Sequence, residues 1–164
     1  MKTSSVDLVL GIMRQTFGSK FKEYYSGDPE VIPIFNLPCI IVTQTRDDTT
    51  EGAQGEDDVS DEIRIKVLYN RADDYTGDKI DPLNLTEQKV RDVVGQIGPD
   101  GTYATGTIKY ALRTALLDGV EAIAPSMAVE YGINPRLTLD SSDNAEWTTE
   151  AWVTFTIQHS VDTY

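Results

Sequence analysis

The chain has little of what catalytic and metal-binding sites are usually made from. Its 164 residues include one cysteine, Cys39, and one histidine, His159. A single cysteine excludes an intramolecular disulfide and a cysteine cage for a metal, and it fits a reducing compartment. A single histidine excludes a multi-histidine zinc site, so any Ser-His-Asp arrangement has to be built on His159. Cations are scarce too: 14 Lys and Arg stand against 27 Asp and Glu, for a formal net charge of -13. The densest basic group is Lys20 with Lys22. No basic stripe is present to neutralise phosphates, so binding to nucleic acid or to an anionic membrane is not expected. No apolar run approaches the roughly 18 residues of a membrane span, and Asp7 stands where a secretory apolar segment would begin. Gly95-Gln96-Ile97-Gly98 lacks a following Gly-Lys-Ser/Thr, and the helix expected there precedes the glycines, which excludes a phosphate loop. No cofactor is expected.

What is present is an ordinary globular balance, 25% charged and 40% apolar residues over a common domain length. One soluble α+β domain over residues 1–164 is therefore expected, large enough to bury a core. Val6, Val9, Leu10, Met13 and Phe17 recur at helical spacing behind Ser4 or Ser5 as a cap, which predicts a helix over about 6–17. Phe21, Tyr24 and Tyr25 extend it by a turn before Ser26-Gly27-Asp28-Pro29. Leu37-Pro38-Cys39-Ile40-Ile41-Val42-Thr43 predicts a strand covered on both faces, with Cys39 buried and inert. Ile63, Ile65, Val67 and Tyr69 alternate with polar neighbours as a half-exposed strand does.

Between these strands, residues 46–61 hold seven acids and only Ala53 and Val59 as apolar residues. Such a stretch buries too little to offset its ordering entropy, which predicts a mobile acidic loop, or a long hairpin arm, with no core role of its own. Asn84 and Glu87 have capping spacing, and Val90, Val93, Val94 and Ile97 form a second helical stripe ended by Gly98-Pro99-Asp100-Gly101. Ile108, Leu112, Ala115 and Leu116 predict a third helix over about 105–118, stopped by Gly119. Met127, Val129, Tyr131 and Ile133 then alternate, followed by Leu137 and Leu139 and the turn-rich 140–144. In the last segment Trp147, Ala151, Val153, Phe155, Ile157 and Val161 share one face, while Glu150, Thr154, Thr156 and Gln158 share the other. The architecture expected is α+β: a mostly antiparallel sheet with a long hairpin, packed by an N-terminal helix and two central helices.

His159 falls on the apolar face of the last strand, so a structural or interface role is favoured over catalysis. Asp73-Asp74-Tyr75-Thr76-Gly77-Asp78 and residues 140–144 have a calcium-compatible composition, but neither matches a twelve-residue loop with a closing glutamate, and turn chemistry is the better reading. The inventory does not favour an enzyme. The competing enzyme readings are a small hydrolase using His159 with an acidic partner, or a calcium-dependent enzyme using Asp73, Asp74 and Asp78. A third class is a monomeric adaptor that uses residues 46–61 as a lure for a basic partner.

The order helix, apolar strand, alternating strand, helices and long closing strand resembles the tail terminator proteins of long-tailed bacteriophages, the rings that join tail to head. The resemblance rests on the early helix, Leu37-Pro38-Cys39-Ile40-Ile41-Val42, the polar hairpin tip, Ile63-Arg64-Ile65-Lys66-Val67-Leu68-Tyr69 and the final Glu150-Ala151-Trp152-Val153-Thr154-Phe155-Thr156-Ile157. It implies a virion protein that assembles with itself as a hexameric ring, stops tail-tube growth and meets the neck. It implies neither cofactor nor active site, and DNA passes through without specific binding. A tail tube, stopper or head-completion protein has the same features. Interface candidates on this reading are Asp47, Asp48, Glu51, Glu56, Asp57 and Asp58 of the acidic segment, with Trp152 and His159 of the closing strand.

Overall fold

The computed structural model describes residues 4–29, 31–80, 82, 85–115, 120–123, 126–139 and 145–163. The fold is α+β: three helices lie against one mixed sheet. Helix α1 spans Ser5–Phe17. Ser4 caps it by accepting the Asp7 N–H, which satisfies one of the donors that a helix start leaves open. Gly18 ends it at φ +53°, a conformation that residues with a Cβ adopt only under strain. The extra helical turn expected through Tyr25 is not formed. The chain instead makes a short 3-10 turn and then strand β1, Glu23–Ser26, which places Tyr24 and Tyr25 in the sheet.

The strands that follow are β2 (Val31–Pro33), β3 (Cys39–Glu51) and β4 (Glu56–Asn70), then the two-residue strands β5 (Tyr75–Thr76) and β6 (Lys79–Ile80). Helices α2 (Thr86–Gly95) and α3 (Ile108–Thr114) come next, then β7 (Val120–Ile123), β8 (Ala128–Leu139) and β9 (Ala145–Asp162). The main sheet runs β1-β3-β4-β9-β8-β2, with β7 also beside β9. Its centre is antiparallel, while β1 joins β3 and β2 joins β8 in parallel.

The three helices cover one face. Val9, Leu10, Met13 and Phe17 of α1, Val90, Val93 and Val94 of α2 and Ile108 and Leu112 of α3 bury against Ile63, Ile65, Val67, Val153, Phe155 and Ile157. The other face has a smaller apolar cluster of Ile32, Leu37, Cys39, Ile41 and Leu68. Burial pushes the Cys39 thiol up to about 12, as an apolar site does to a group that must ionise.

Several sequence expectations are corrected. Of the two expectations for residues 46–61, the long hairpin arm forms and the loop does not: 46–51 belong to β3 and 56–61 to β4, paired rung by rung, and only 52–55 turn. Gly55 supplies the turn's positive φ, +84°. Backbone pairing satisfies these residues where side-chain burial does not, and the segment does enter the core, because Val59 and Asp61 are buried. Helix α2 starts at Thr86 without a side-chain cap from Leu85, the residue before it. The carboxylate of Asp74 accepts the Thr86 N–H at 2.6 Å instead, and the expected cap Asn84 lies outside the described residues. Ile97 is past the end of α2 and 64% exposed, so it is not part of the stripe. Helix α3 is shorter than expected and is capped by Thr107, which accepts the Tyr110 N–H; Leu116, Gly119 and the 140–144 turn lie outside the described residues. Glu150, assigned to the polar face, is fully buried. Trp147 and Val161 lie on the helix side but beyond the helices, and both are exposed.

Candidate functional site

The most distinctive surface is the arm made by the distal halves of β3, β4 and β9. Its strands are in register from Asp47↔Asp61 to Glu51↔Asp57, and from Asp61↔Ile157 to Glu56↔Asp162. β-Strand alternation places Asp47, Thr49 and Glu51 on the helix side with Asp57, Val59 and His159, and places Arg46, Asp48 and Asp58 on the reverse. Acids therefore face acids across the ladder at Glu51↔Asp57 and Glu56↔Asp162, an arrangement that self-repels. Arg46 is the arm's cation and pairs with Asp48 at 3.0 Å in the open.

The arm is rooted by a buried polar cluster. Asp61 accepts from Ser5 Oγ at 2.6 Å and from Gln44 Nε2 at 3.0 Å, and it lies 2.9 Å from His159 Nε2. Helix α1, β3 and β9 thus converge on one carboxylate. Ser5 donates to the acid, with no bond to the imidazole, so the order of contacts differs from a nucleophile-base-acid relay. His159 Nδ1 is buried with no hydrogen-bond partner among the described residues.

A second polar group lies on the face away from the helices. Arg136 of β8 holds Glu150 of β9 with two prongs, Nε to Oε2 and Nη2 to Oε1, each 2.9 Å. Arg136 Nη1 also bonds Asp28 at 2.9 Å, and Lys66 bonds the other Asp28 oxygen. Thr148 and Trp152 donate to Glu150. Burial pushes the Glu150 carboxyl up, and the bonds from Arg136, Thr148 and Trp152 more than reverse this, leaving it below its usual range. Asp28 is held low in the same way, its partial burial outweighed by Lys66 and Arg136. Lys66 and Arg64 stack over the Trp152 ring, at 4.4 and 5.0 Å from its centroid.

The third feature is the sheet's outline. β1 pairs with β3 only from Cys39 to Val42, and among the described residues no strand pairs with the outer edge of β3 over 43–51. On the opposite side β2 pairs only with the end of β8, which leaves residues 128–136 without an outer neighbour among the described residues. Tyr131 and Ile133 on that edge, with Tyr75 and Trp147 nearby, are each about half exposed, a grouping that marks interaction surfaces. Arg71 and Ile133 line two adjoining depressions there, one with Tyr75 and Trp147 and the other with Glu87 and Tyr131.

Of the interface candidates, Asp47, Asp48, Glu51 and Asp58 are exposed on the arm, and Glu56 and Asp57 are half-buried there. His159 is at the arm's root. Trp152 lies in the Glu150 group, away from the arm. Sequence reasoning missed Asp61, Asp28, Lys66, Arg136 and Glu150, and the one available signal was Glu150, an acid flanked by buried-looking positions. Asp73 and Asp78 are exposed and Asp74 is spent on α2; among the described residues no group of three or more His, Cys, Asp or Glu gathers as a metal site. Among those residues, too, no helix is long and apolar enough to cross a membrane. No protein-family model matches the chain, and no curated protein matches it as a relative.

Proposed function

We propose that the chain is a structural virion protein of the bacteriophage head-tail junction, which assembles with copies of itself into a ring, a hexamer on the resemblance, that caps the tail tube and joins it to the neck. The observation that carries this reading is the arm: a three-stranded acidic projection whose β3 edge is unpaired over 43–51 among the described residues. A strand edge with open N–H and C=O groups either is shielded or is completed by another chain. A closed ring is the symmetric way to complete every such edge. The arm's acids would line a passage that repels DNA phosphates and so lets the duplex slide without being held. Other tail or neck components, such as a tail tube, stopper or head-completion protein, share the same physical requirements.

The test is assembly with the partner present. Purified protein, alone and mixed with tail tubes that lack their cap, is followed by light scattering and electron microscopy. Rings, or a closed layer at the tube end, are expected. A species that stays monomeric and leaves the tubes bare overturns the reading. Purified protein that turns over a small substrate, with loss on His159→Ala, would replace it with the hydrolase reading.

A further inference from the structure

We infer that copies of this chain join head to tail, the outer edge of β3 in one copy adding to the outer edge of β8 in the next. The inference rests on the ring reading and names its interface. Among the described residues both edges are open and of similar length, residues 43–51 on one side of the sheet and 128–136 on the other. Their directions also match. β3 is antiparallel to β4, β4 to β9 and β9 to β8, so β3 runs antiparallel to β8 within the chain. A second copy brought alongside with its helices on the same side therefore offers β3 to β8 in antiparallel sense, the more stable pairing. Because the two edges are different surfaces, the contact is heterologous, and repeating it closes a ring or runs on as a filament.

Side chains agree with that orientation. On the helix side the incoming strand carries Asp47 and Glu51. The receiving edge has Tyr131 and Ile133, with Arg71 beside Ile133; burial pushes the Tyr131 hydroxyl up, and the charge of Arg91 nearby offsets part of that. Among the described residues Arg71 enters no ion pair and donates only to the neutral Thr149 hydroxyl. Glu87 also lies on this side, but it is engaged by Arg91 at 3.8 Å. On the reverse side the incoming strand carries Arg46 already paired with Asp48, and the receiving strand carries Glu130, so the charge match lies on the helix side. An isologous contact of two β3 edges would instead set acids against acids.

The open stretches are not level. Thr43 is level with Arg64 and Glu51 with Asp57, whereas Ala128 is level with Arg64 through Thr154, and Asn134 with Asn70 through Thr148. Successive copies must shift along the strands by roughly seven residues, ~23 Å, at the usual rise per residue. Such a shift slants the strands against the ring, as shear does in a barrel.

Engineered cysteines test the contact, since the native Cys39 is buried and resists ionisation. Thr49→Cys or Asp47→Cys protein is mixed with Ile133→Cys or Tyr131→Cys protein and oxidised, at concentrations where the unsubstituted chain is assembled. The four combinations cover a register slip of two residues. Mixed disulfide dimers are expected, with a ladder up to the full ring for Asp47→Cys/Ile133→Cys in one chain. Homodimers alone, or no crosslink in any combination, overturn the inference. As a second arm, Ile133→Glu is exposed enough to leave the circular dichroism unchanged and is expected to abolish assembly; unimpaired assembly also overturns it. Rings that form normally in either failing case leave the ring reading standing. An unsubstituted chain that never assembles, with or without tubes, ends both.

Discussion

Arg136 and Glu150 are bound by two parallel 2.9 Å bonds, although the register partner of Arg136 is Glu146, four residues earlier on β9. The arginine therefore reaches along the neighbouring strand, and this diagonal reach lets it contact Asp28 as well. The loop after β1, β4, β8 and β9 are tied together on the face that has no helices.

This group sets a pH dependence. Glu150 and Asp28 both have carboxyls held below their usual range in the folded protein, so they stabilise it above the ordinary carboxylate range and that contribution is lost as the pH falls through their folded values. Urea unfolding from pH 7 downward is expected to show stability falling steeply below about pH 4, and Glu150→Gln is expected to flatten the slope. At neutral pH the same substitution leaves Arg136 half-paired and is expected to cost about 3 kcal/mol.

At the arm's root, Asp61→Ala removes the acceptor shared by Ser5, Gln44 and His159. Leaving buried donors unpaired is expected to destabilise the fold by about 3 kcal/mol in chemical denaturation. Hydrogen exchange should quicken first in the arm, over 46–51 of β3 and 56–61 of β4. A loss spread evenly over the sheet would argue against a local anchoring role.

Glu51 and Asp57 face each other across the hairpin. Glu51→Lys turns that repulsion into attraction and is expected to raise stability by about 0.5 kcal/mol. The gain should shrink in concentrated salt, because the site is exposed and screened. Thermal melts of the two proteins at low and high ionic strength give the comparison.

Asp74 caps α2 from a separate turn. Asp74→Ala is expected to cost about 1–2 kcal/mol, with Asp74→Asn recovering part of the loss because its amide oxygen still accepts. Equilibrium denaturation of the three proteins measures both effects.

Cys39 combines complete burial with a thiol pushed up to about 12. A disulfide reagent at pH 8 should leave it unlabelled in the native protein and label one thiol per chain in denaturant. Rapid native labelling would show that the strand opens readily.

The helices and core strands were legible because their apolar residues repeat at 3.6 or 2 and local capping marks their ends, as at Ser4 and Gly18 of α1. The arm was half legible. Its composition is that of an unburied segment, and composition cannot register that backbone pairing with β9 holds it straight. Tyr24 and Tyr25 were misread because their spacing from Phe17 and Phe21 continues a helical stripe, while the parallel ladder that claims them is formed by distant Ile40 and Ile41. The Asp28–Lys66–Arg136–Glu150 group was invisible for the same reason: its members are up to 122 positions apart, and only the sheet brings them together. Glu150 was assigned to its correct face, away from Val153, but its burial was missed because alternation identifies a face and not whether that face is covered.

β4 is unbroken from Glu56 to Asn70, so one strand of ~50 Å at the usual rise per residue carries both the projecting acids and the buried Ile63, Ile65 and Val67. The projection is consequently a cantilever, not a tether. A sideways load on its tip must either bend three paired strands together or tilt the helix-packed layer, which makes it suited to fixing the spacing of whatever it touches and poorly suited to searching for it.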